Sequence, residues 1–148
     1  MSADPPPAIS DRLGFLLGQA HLQHRRMAEA ELASLGLRAK ESGALAVLAA
    51  EGPLSQQRLG ERLGIDRTTM VAVADALEGK GFVERRRDRD DRRAYSLRLT
   101  AKGRGVLGRA NRAIEEAEAD FLAAIPSADR PRLKELLRAL VTQKPGND

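Results

Sequence analysis

The segment that most constrains the fold is residues 54–87, LSQQRLGERLGIDRTTMVAVADALEGKGFVERRR. Leu59 and Leu63 are one helical turn apart and predict a short helix that starts at Ser55. Gly64 can take the left-handed conformation that a helix end requires, and Asp66 is a strong N-cap for a second helix. Two helices joined by a short turn that contains glycine form a helix-turn-helix, so this segment predicts that motif.

The residues that follow the second helix predict a β-hairpin. Phe82–Arg87 forms the first strand, and Ala94–Leu99 forms the second, in which Tyr95, Leu97 and Leu99 are expected on the inward face because apolar and polar residues alternate. The charge run RRRDRDDRR lies at the tip between them. A hairpin directly after a helix-turn-helix is called a wing.

Helix-period apolar residues flank this segment on both sides. Ser10 and Asp11 predict the start of a long N-terminal helix, Thr100 predicts the cap of a helix after the hairpin, and Ser127 the cap of a last one. The helix that follows Thr100 has a heptad seam of Leu107, Ala110, Ile114, Ala117 and Phe121. The end helices carry more apolar surface than a compact winged helix can cover, which favours burial against a second copy over packing within one chain.

Composition agrees with a helical, soluble protein. The 148 residues are 42% hydrophobic but only 3% aromatic, which predicts an aliphatic core, and the net charge of +4 permits an anionic partner. The absence of cysteine excludes disulfides, thiolate metal sites and thiol chemistry. The N-terminus lacks the pattern of a signal peptide, and no apolar run is long enough for a membrane span, so we expect a cytoplasmic protein without membrane association.

The start of the second helix carries the side chains that we expect to meet double-stranded DNA. Recognition helices enter the major groove N-terminus first, so Arg67, Thr68, Thr69 and Ala72 would face bases and phosphates. Arg67 can form a bidentate pair with guanine, and the threonines can contact phosphates or thymine. The alternative for Thr68 and Thr69 is that they only satisfy backbone N–H groups at the helix start.

The charge run at the hairpin tip has two interpretations. As a solvated turn, its aspartates would only offset its arginines. As a functional tip, Asp91 would orient Arg93, and an oriented arginine suits the negative potential of a narrow minor groove. Its position beside a helix-turn-helix favours the second interpretation. The predicted DNA contacts are Ser55, Gln56, Arg67, Thr68, Thr69, Val71, Ala72, Arg87, Arg89, Asp91, Arg92 and Arg93.

The pattern of these residues resembles the MarR (multiple-antibiotic-resistance regulator) family of bacterial winged-helix transcription factors, over residues 13–141. Its most specific motif is D-x-R…LT…G, formed here by Asp91, Arg93, Leu99, Thr100 and Gly103. The resemblance implies a homodimer that binds palindromic promoter DNA, commonly as a repressor, with wing contacts from Asp91 and Arg93. It also implies release by a small anionic or aromatic ligand in many members.

Some features depart from the family pattern. Many members carry Thr-Arg where this chain has Val71-Ala72, which puts some of the family's base contacts in doubt here. The absence of cysteine rules out the members that sense oxidants as guides, and the absence of tryptophan argues against the urate-sensing subgroup.

The resemblance also suggests an effector cleft between the dimer helices and the DNA-reading domain, which His21, His24 and Arg25 would line. The two histidines have a spacing compatible with metal ligands, but no third ligand can be named, so no metal is predicted. GRGVLG at Gly103–Gly108 fits G-x-G-x-x-G but lacks a βαβ unit, so we expect these glycines to permit close helix packing rather than to bind a nucleotide. No cofactor is predicted.

The sequence therefore predicts a mainly α fold with a small β-hairpin wing, a winged helix-turn-helix flanked by N- and C-terminal dimerisation helices. The predicted units are a flexible leader (1–9), an N-terminal dimerisation helix (10–36), a DNA-binding domain (37–100), C-terminal dimerisation helices (101–143) and a tail (144–148). The competing function is a winged-helix protein-interaction module without specific DNA binding. An enzyme is disfavoured, since the sequence offers no recognisable catalytic set.

Overall fold

The computed structural model describes residues 4–87, 90 and 95–143, and over them the chain is mainly helical. The helices are α1 (Leu13–Ala33), α2 (Ala39–Glu51), α3 (Gln56–Leu63), α4 (Arg67–Gly79), α5 (Ala101–Phe121) and α6 (Arg130–Thr142). The strands are β1 (Leu54–Ser55), β2 (Val83–Arg87) and β3 (Tyr95–Leu99). This architecture confirms the predicted fold class, a helix-turn-helix of α3 and α4 followed by a hairpin.

Local sequence sets the boundaries of the helix-turn-helix. The Ser55 side chain caps α3 by accepting a hydrogen bond from the Arg58 N–H at 3.2 Å. Gly64 ends α3 with a φ of 64°, a left-handed conformation that glycine adopts without steric cost. Asp66 then caps α4 by accepting from the Thr69 N–H at 2.9 Å. All three boundaries are those that the sequence predicts.

The hydrophobic core lies where α2, α3, α4 and α5 meet the sheet. Its largest fully buried side chains are aliphatic, as the composition predicts: Leu32, Leu45, Leu59, Met70, Leu77, Val83, Leu97 and Val106. Burial of the inward stripe of α4 against this core fixes which face of that helix points outward.

The sheet contains a short third strand that the sequence pattern did not predict. The strand order is β1-β3-β2, and both pairs are antiparallel. Strand β1 has two residues, too few for alternation to be visible in the sequence. In β3, Leu97 and Leu99 are buried as predicted, but Tyr95 is 51% exposed. The inward prediction for Tyr95 is wrong because it pairs with Arg87 at the far end of the hairpin, beyond the edge of the core.

The starts of α1 and α6 differ from the prediction. Neither Ser10 nor Asp11 caps α1, because both lie in a turn that precedes the helix and the N-cap position is Arg12; within that turn the Ser10 hydroxyl donates to the Pro7 carbonyl at 3.4 Å. Ser127 does not cap α6, because it begins a 3₁₀ turn over residues 127–129 and the helix starts only after that turn.

Helix α5 passes very close to Phe82, the residue that precedes β2. A Cβ atom on Gly103 would overlap the Phe82 carbonyl oxygen and lie 3.2 Å from the Cδ2 atom of Leu99. The expectation that glycines permit close packing is therefore correct for Gly103. It is wrong for Gly105 and Gly108, since a Cβ atom on Gly108 would meet nothing within 4 Å and one on Gly105 only the end of a flexible arginine.

The seam of α5 is only partly the predicted heptad. Leu107, Ala110 and Ala117 are buried, whereas Ile114 and Phe121 are half-buried. Val106, which lies outside the heptad positions, is 2% exposed and belongs to the core. Helix α5 therefore serves two neighbours, the winged core near its start and α1 further along.

Helices α1 and α6 keep apolar side chains on the surface of the single chain. No residue of α6 is buried. The exposed large apolar side chains of these two helices are Leu13, Leu16, Leu17, Leu22, Leu136, Leu137, Leu140 and Val141. Packing within one chain thus leaves both stripes uncovered. None of the described helices has the length and apolar character that a membrane crossing requires.

Candidate nucleic-acid interface and adjoining cleft

The start of α4 presents an outward surface at the end of the helix-turn-helix. Arg67, Thr68 and Ala72 are exposed, and Val71 is 39% exposed. They point outward because Met70 and the rest of the inward stripe are held in the core. The structure therefore brings four predicted contact residues together on the outward face of the first turns of α4.

Thr69 has a different environment from Thr68. Its backbone N–H and its hydroxyl both bind the Asp66 carboxylate, at 2.9 Å and 2.7 Å. The hydrogen bond from the Thr69 backbone is the main reason that the pKa of Asp66 lies below its ordinary value of 3.8. Thr69 thus helps to hold the cap of the helix, but its hydroxyl does so by donating to Asp66 and not by accepting from a backbone N–H, while the Thr68 side chain is exposed.

The two predicted contacts at the start of α3 also make structural hydrogen bonds. The Ser55 hydroxyl is used by the cap of α3, and the Gln56 side-chain oxygen accepts from Arg85 Nη2 at 3.2 Å. Both side chains are half-buried, whereas Gln57 and Arg58 beside them are exposed. A groove of about 540 Å³ separates α3 from the start of α4; its lining residues are Gln56, Gln57, Gly60, Glu61, Ile65, Arg67 and Met70.

The base of the wing is joined to the recognition helix by Arg85, a residue that the sequence reasoning missed. Its Nη2 atom lies 2.7 Å from Asp75 Oδ1, and its Nη1 atom lies 2.8 Å from Glu78 Oε1. The hydrogen bond to Asp75 is the main cause of a raised pKa for the Arg85 guanidinium. No sequence signal separated Arg85 from the other arginines of the charge run, because only the register of the hairpin shows which ones face α4.

Arg87 is exposed at the end of β2, opposite Tyr95. The remaining wing predictions, Arg89, Asp91, Arg92 and Arg93, lie outside the described residues. Their roles stay predictions.

A cleft lies between α1, the start of α2 and the side of α4. Its volume is about 650 Å³, and the three predicted effector residues His21, His24 and Arg25 all line it. Its other lining residues are Ala28, Glu29, Arg38, Ala39, Lys40, Glu41, Thr69, Ala72, Val73, Ala76 and Lys80. Alanines and Val73 give it an apolar wall, while cationic side chains stand at its rim.

The charges in the cleft are partly paired. The Glu41 side chain is 3% exposed and accepts hydrogen bonds from Lys80 Nζ at 2.8 Å and 3.0 Å. Lys80 also donates to the Gly36 carbonyl at 2.7 Å, so this ammonium is held by protein groups. Arg25 pairs with Glu29 at 3.2 Å. Arg38 and Lys40 are both exposed at the rim, which leaves the cleft suited to an anionic group beside an apolar body.

One of the two histidines of the cleft, His24, also makes a packing contact between helices. The His24 ring lies edge-on to Phe121, with centroids 5.3 Å apart, and helps to pack α1 against α5. Within the described part of the chain, no three His, Asp or Glu side chains converge in a way that could hold a metal ion.

The known proteins that this chain resembles are transcriptional regulators. The model of the MarR family matches residues 40–95. A transcriptional regulatory protein assigned to the hcr operon of Thauera aromatica is 32% identical over 137 residues, which cover 92% of this chain and 82% of that protein. The structure of the transcriptional repressor CouR bound to a 23-mer DNA duplex is similar with a TM-score of 0.85 and 30% identity, covering 95% of this chain and 99% of that one.

A ligand complex also resembles this chain. The PcaV transcriptional regulator from Streptomyces coelicolor, solved in complex with its natural ligand, is similar with a TM-score of 0.74 and 26% identity. The similarity covers 95% of this chain and 97% of that one.

Proposed function

The chain belongs to the MarR family of transcriptional regulators, and we propose that it is a homodimeric repressor that binds a palindromic promoter site and releases it when a small anionic or aromatic molecule enters the cleft. The observation that carries the proposal is the outward face at the start of α4, beside the wing, in a chain similar over nearly its whole length to a repressor bound to DNA.

Base recognition rests on the outward residues of α4. Arg67 supplies a guanidinium for a bidentate pair with guanine, and Thr68 supplies a free hydroxyl. Val71 and Ala72 offer apolar contacts suited to the methyl group of thymine. Because the Thr69 hydroxyl is held by Asp66, its contribution is to fix the helix start rather than to read a base.

Affinity comes largely from contacts between arginines and phosphates. Arg58 on α3 and Arg87 at the end of β2 are exposed and basic, on elements that flank α4. The wing tip is proposed to add Arg93, oriented by Asp91, with Arg89 and Arg92 as further cations.

Dimerisation explains the uncovered apolar stripes of α1 and α6. An isologous interface pairs these stripes with their copies and removes them from water. Such a twofold dimer presents two copies of α4 about 34 Å apart, the spacing of one turn of DNA. In this proposal residues 37–100 read DNA, and residues 10–36 and 101–143 join the protomers, although the first half of α5 also completes the core of the DNA-reading unit.

The cleft between α1 and α4 is the proposed effector site. Its apolar wall suits an aromatic or aliphatic body, and Arg25, Arg38 and Lys40 at its rim suit a carboxylate. His21 and His24 complete the α1 side.

The decisive experiment is a titration of the dimer against DNA from its own upstream region, and against random DNA of the same length, at several salt concentrations. We expect preference for the upstream fragment and a steep salt slope. Arg67→Ala should cost about 1–3 kcal/mol on the specific site, whereas Arg132→Ala, which removes the same charge from α6, should cost little. Equal affinity for both DNAs with a shallow slope would instead indicate a protein-interaction module.

The effector proposal has its own experiment, a thermal-shift screen with small aromatic acids. We expect stabilisation by at least one acid, and release of the upstream fragment by the same compound. Ala76→Leu should abolish that shift, because Ala76 lines the cleft and the larger leucine side chain would occupy the space of the ligand. Ala76 lies away from the start of α4, so the residues proposed to contact DNA are unchanged. No shift with any acid would contradict this part of the proposal.

A further inference from the structure

Arg85 is the first arginine of the charge run, yet its side chain points away from solvent. It pairs with Leu97 across the hairpin and shares a face of β2 with Val83, both of which are buried. Its side chain is accordingly only 25% exposed, against 58% for its neighbour Arg86. The alternation of the strand therefore places Arg85 on the side that faces the helices.

One guanidinium joins three elements. Asp75 and Glu78 lie one turn apart on the same face of α4, and they accept from Arg85 at 2.7 Å and 2.8 Å. Gln56, the first residue of α3, accepts from it at 3.2 Å. The planar fork of arginine can hold several acceptors in a fixed geometry, which a lysine ammonium on a flexible stem does less well.

Arg86 shows that the contacts of Arg85 are particular to its position. Arg86 is paired with Glu84 on its own strand at 2.8 Å, so this ion pair joins no other element. Arg85 and Arg86 thus have the same charge and lie next to each other on β2, but of the two only Arg85 links the hairpin to α4.

We propose that Arg85 is a positioning residue that fixes the base of the wing relative to α4, so that the wing and the recognition helix engage DNA as one preorganised unit. The proposal rests on the DNA-binding function proposed above. Without this link the hairpin stays folded, because Val83, Leu97 and Leu99 remain in the core, but its orientation must be fixed during binding, and that ordering weakens affinity.

The test compares Arg85→Met with Arg86→Met on the upstream DNA fragment. Both variants remove one positive charge from the same strand, so a general electrostatic effect is common to both. We expect Arg85→Met to weaken binding about tenfold more than Arg86→Met does. Arg85→Lys, which keeps the charge without the fork, should fall between wild type and Arg85→Met.

For a substitution of Asp75, the positioning role and net charge alone predict opposite changes in DNA affinity. Asp75→Asn leaves Arg85 in place and makes the protein more positive, which by charge alone strengthens binding to DNA. The positioning role predicts weaker specific binding instead, with hydroxyl-radical protection lost where the wing contacts DNA and retained where α4 does. Asp75 is 61% exposed, so this substitution leaves the core intact. Urea unfolding would verify that stability changes little.

The outcomes separate two failures. If wild type prefers the upstream fragment while Arg85→Met and Arg86→Met lose equal affinity, or if Asp75→Asn binds more tightly, the positioning role is refuted. If wild type itself does not distinguish upstream from random DNA, the proposed function fails, and the positioning role fails with it.

Discussion

A methyl group added at Gly103 should destabilise the fold, although alanine is a better helix former than glycine. The Cβ atom would overlap the Phe82 carbonyl oxygen and lie 3.0 Å from the carbonyl carbon. The Phe82 carbonyl group is not free to move away. The Phe82 N–H donates to the Leu77 carbonyl at 3.0 Å, and the Phe82 carbonyl accepts from the Thr100 N–H at 3.1 Å.

The size of the effect follows from these contacts. Forcing a methyl group into a packed site costs about 1–3 kcal/mol. Separating α5 from Phe82 also weakens the hydrogen bond from Thr100, which is worth about 1 kcal/mol. We therefore expect Gly103→Ala to lower the free energy of unfolding by about 2–4 kcal/mol.

Gly105 is a matched control on the same helix. A Cβ atom there would meet only the Arg109 Nη1 atom, at 3.9 Å, so Gly105→Ala should raise stability by about 0.5–1 kcal/mol through helix propensity. Urea unfolding at one fixed protomer concentration measures both, since dimerisation makes stability depend on concentration. Equal effects of the two substitutions would refute the steric argument at Gly103.

Three further changes have expected outcomes. Arg93→Ala should weaken binding to the specific site by about 1–3 kcal/mol in a DNA titration without loss of dimerisation, and adding Asp91→Ala should cost little more if Asp91 acts through Arg93. Lys80→Met should lower the free energy of unfolding by about 1–3 kcal/mol, because it leaves the buried carboxylate of Glu41 without a counter-ion and with only the hydrogen bond from the Arg38 N–H, and adding Glu41→Gln should restore part of that loss. Asp66→Ala should lower the melting temperature by a few degrees at neutral pH. The pKa of the Asp66 carboxyl in the folded protein lies below 3.8. The stabilisation by the ionised carboxylate is therefore present above pH 3.8 and is lost as the pH falls through the folded pKa. The difference in melting temperature between variant and wild type should narrow over that range.

The sequence predicted those parts of the fold that depend on local chemistry. The caps at Ser55, Asp66 and Thr100 and the left-handed turn at Gly64 are set by residues within one helical turn of each other. Ser10 is not a cap because it lies in a turn before the helix, where its hydroxyl donates to a carbonyl, and residue type alone does not decide between a turn and a cap.

The candidate site was predictable only where exposure follows from helix periodicity. The outward positions of Arg67 and Ala72 follow from the inward stripe of α4. The position of Arg85 depends on strand register and on the approach of α4, which are tertiary features. The same limit applies to Gln56, which the sequence predicted as a DNA contact and which the structure places against Arg85.

The proposed effector cleft and the proposed DNA-reading surface both include residues of α4, which bears on how an effector would act. Thr69 and Ala72 line the cleft, and both stand next to Arg67 and Thr68 at the start of α4. The Thr69 hydroxyl donates to the Asp66 carboxylate that caps this helix. A ligand that displaces Thr69 would therefore also displace the cap. Coupling between two ligands is reciprocal. Bound DNA that holds α4 in place must therefore lower the affinity for the effector by the same factor by which the effector lowers the affinity for DNA. The regulation proposed here therefore needs no long pathway through the protein, only two ligands that favour different positions of the same helix turn.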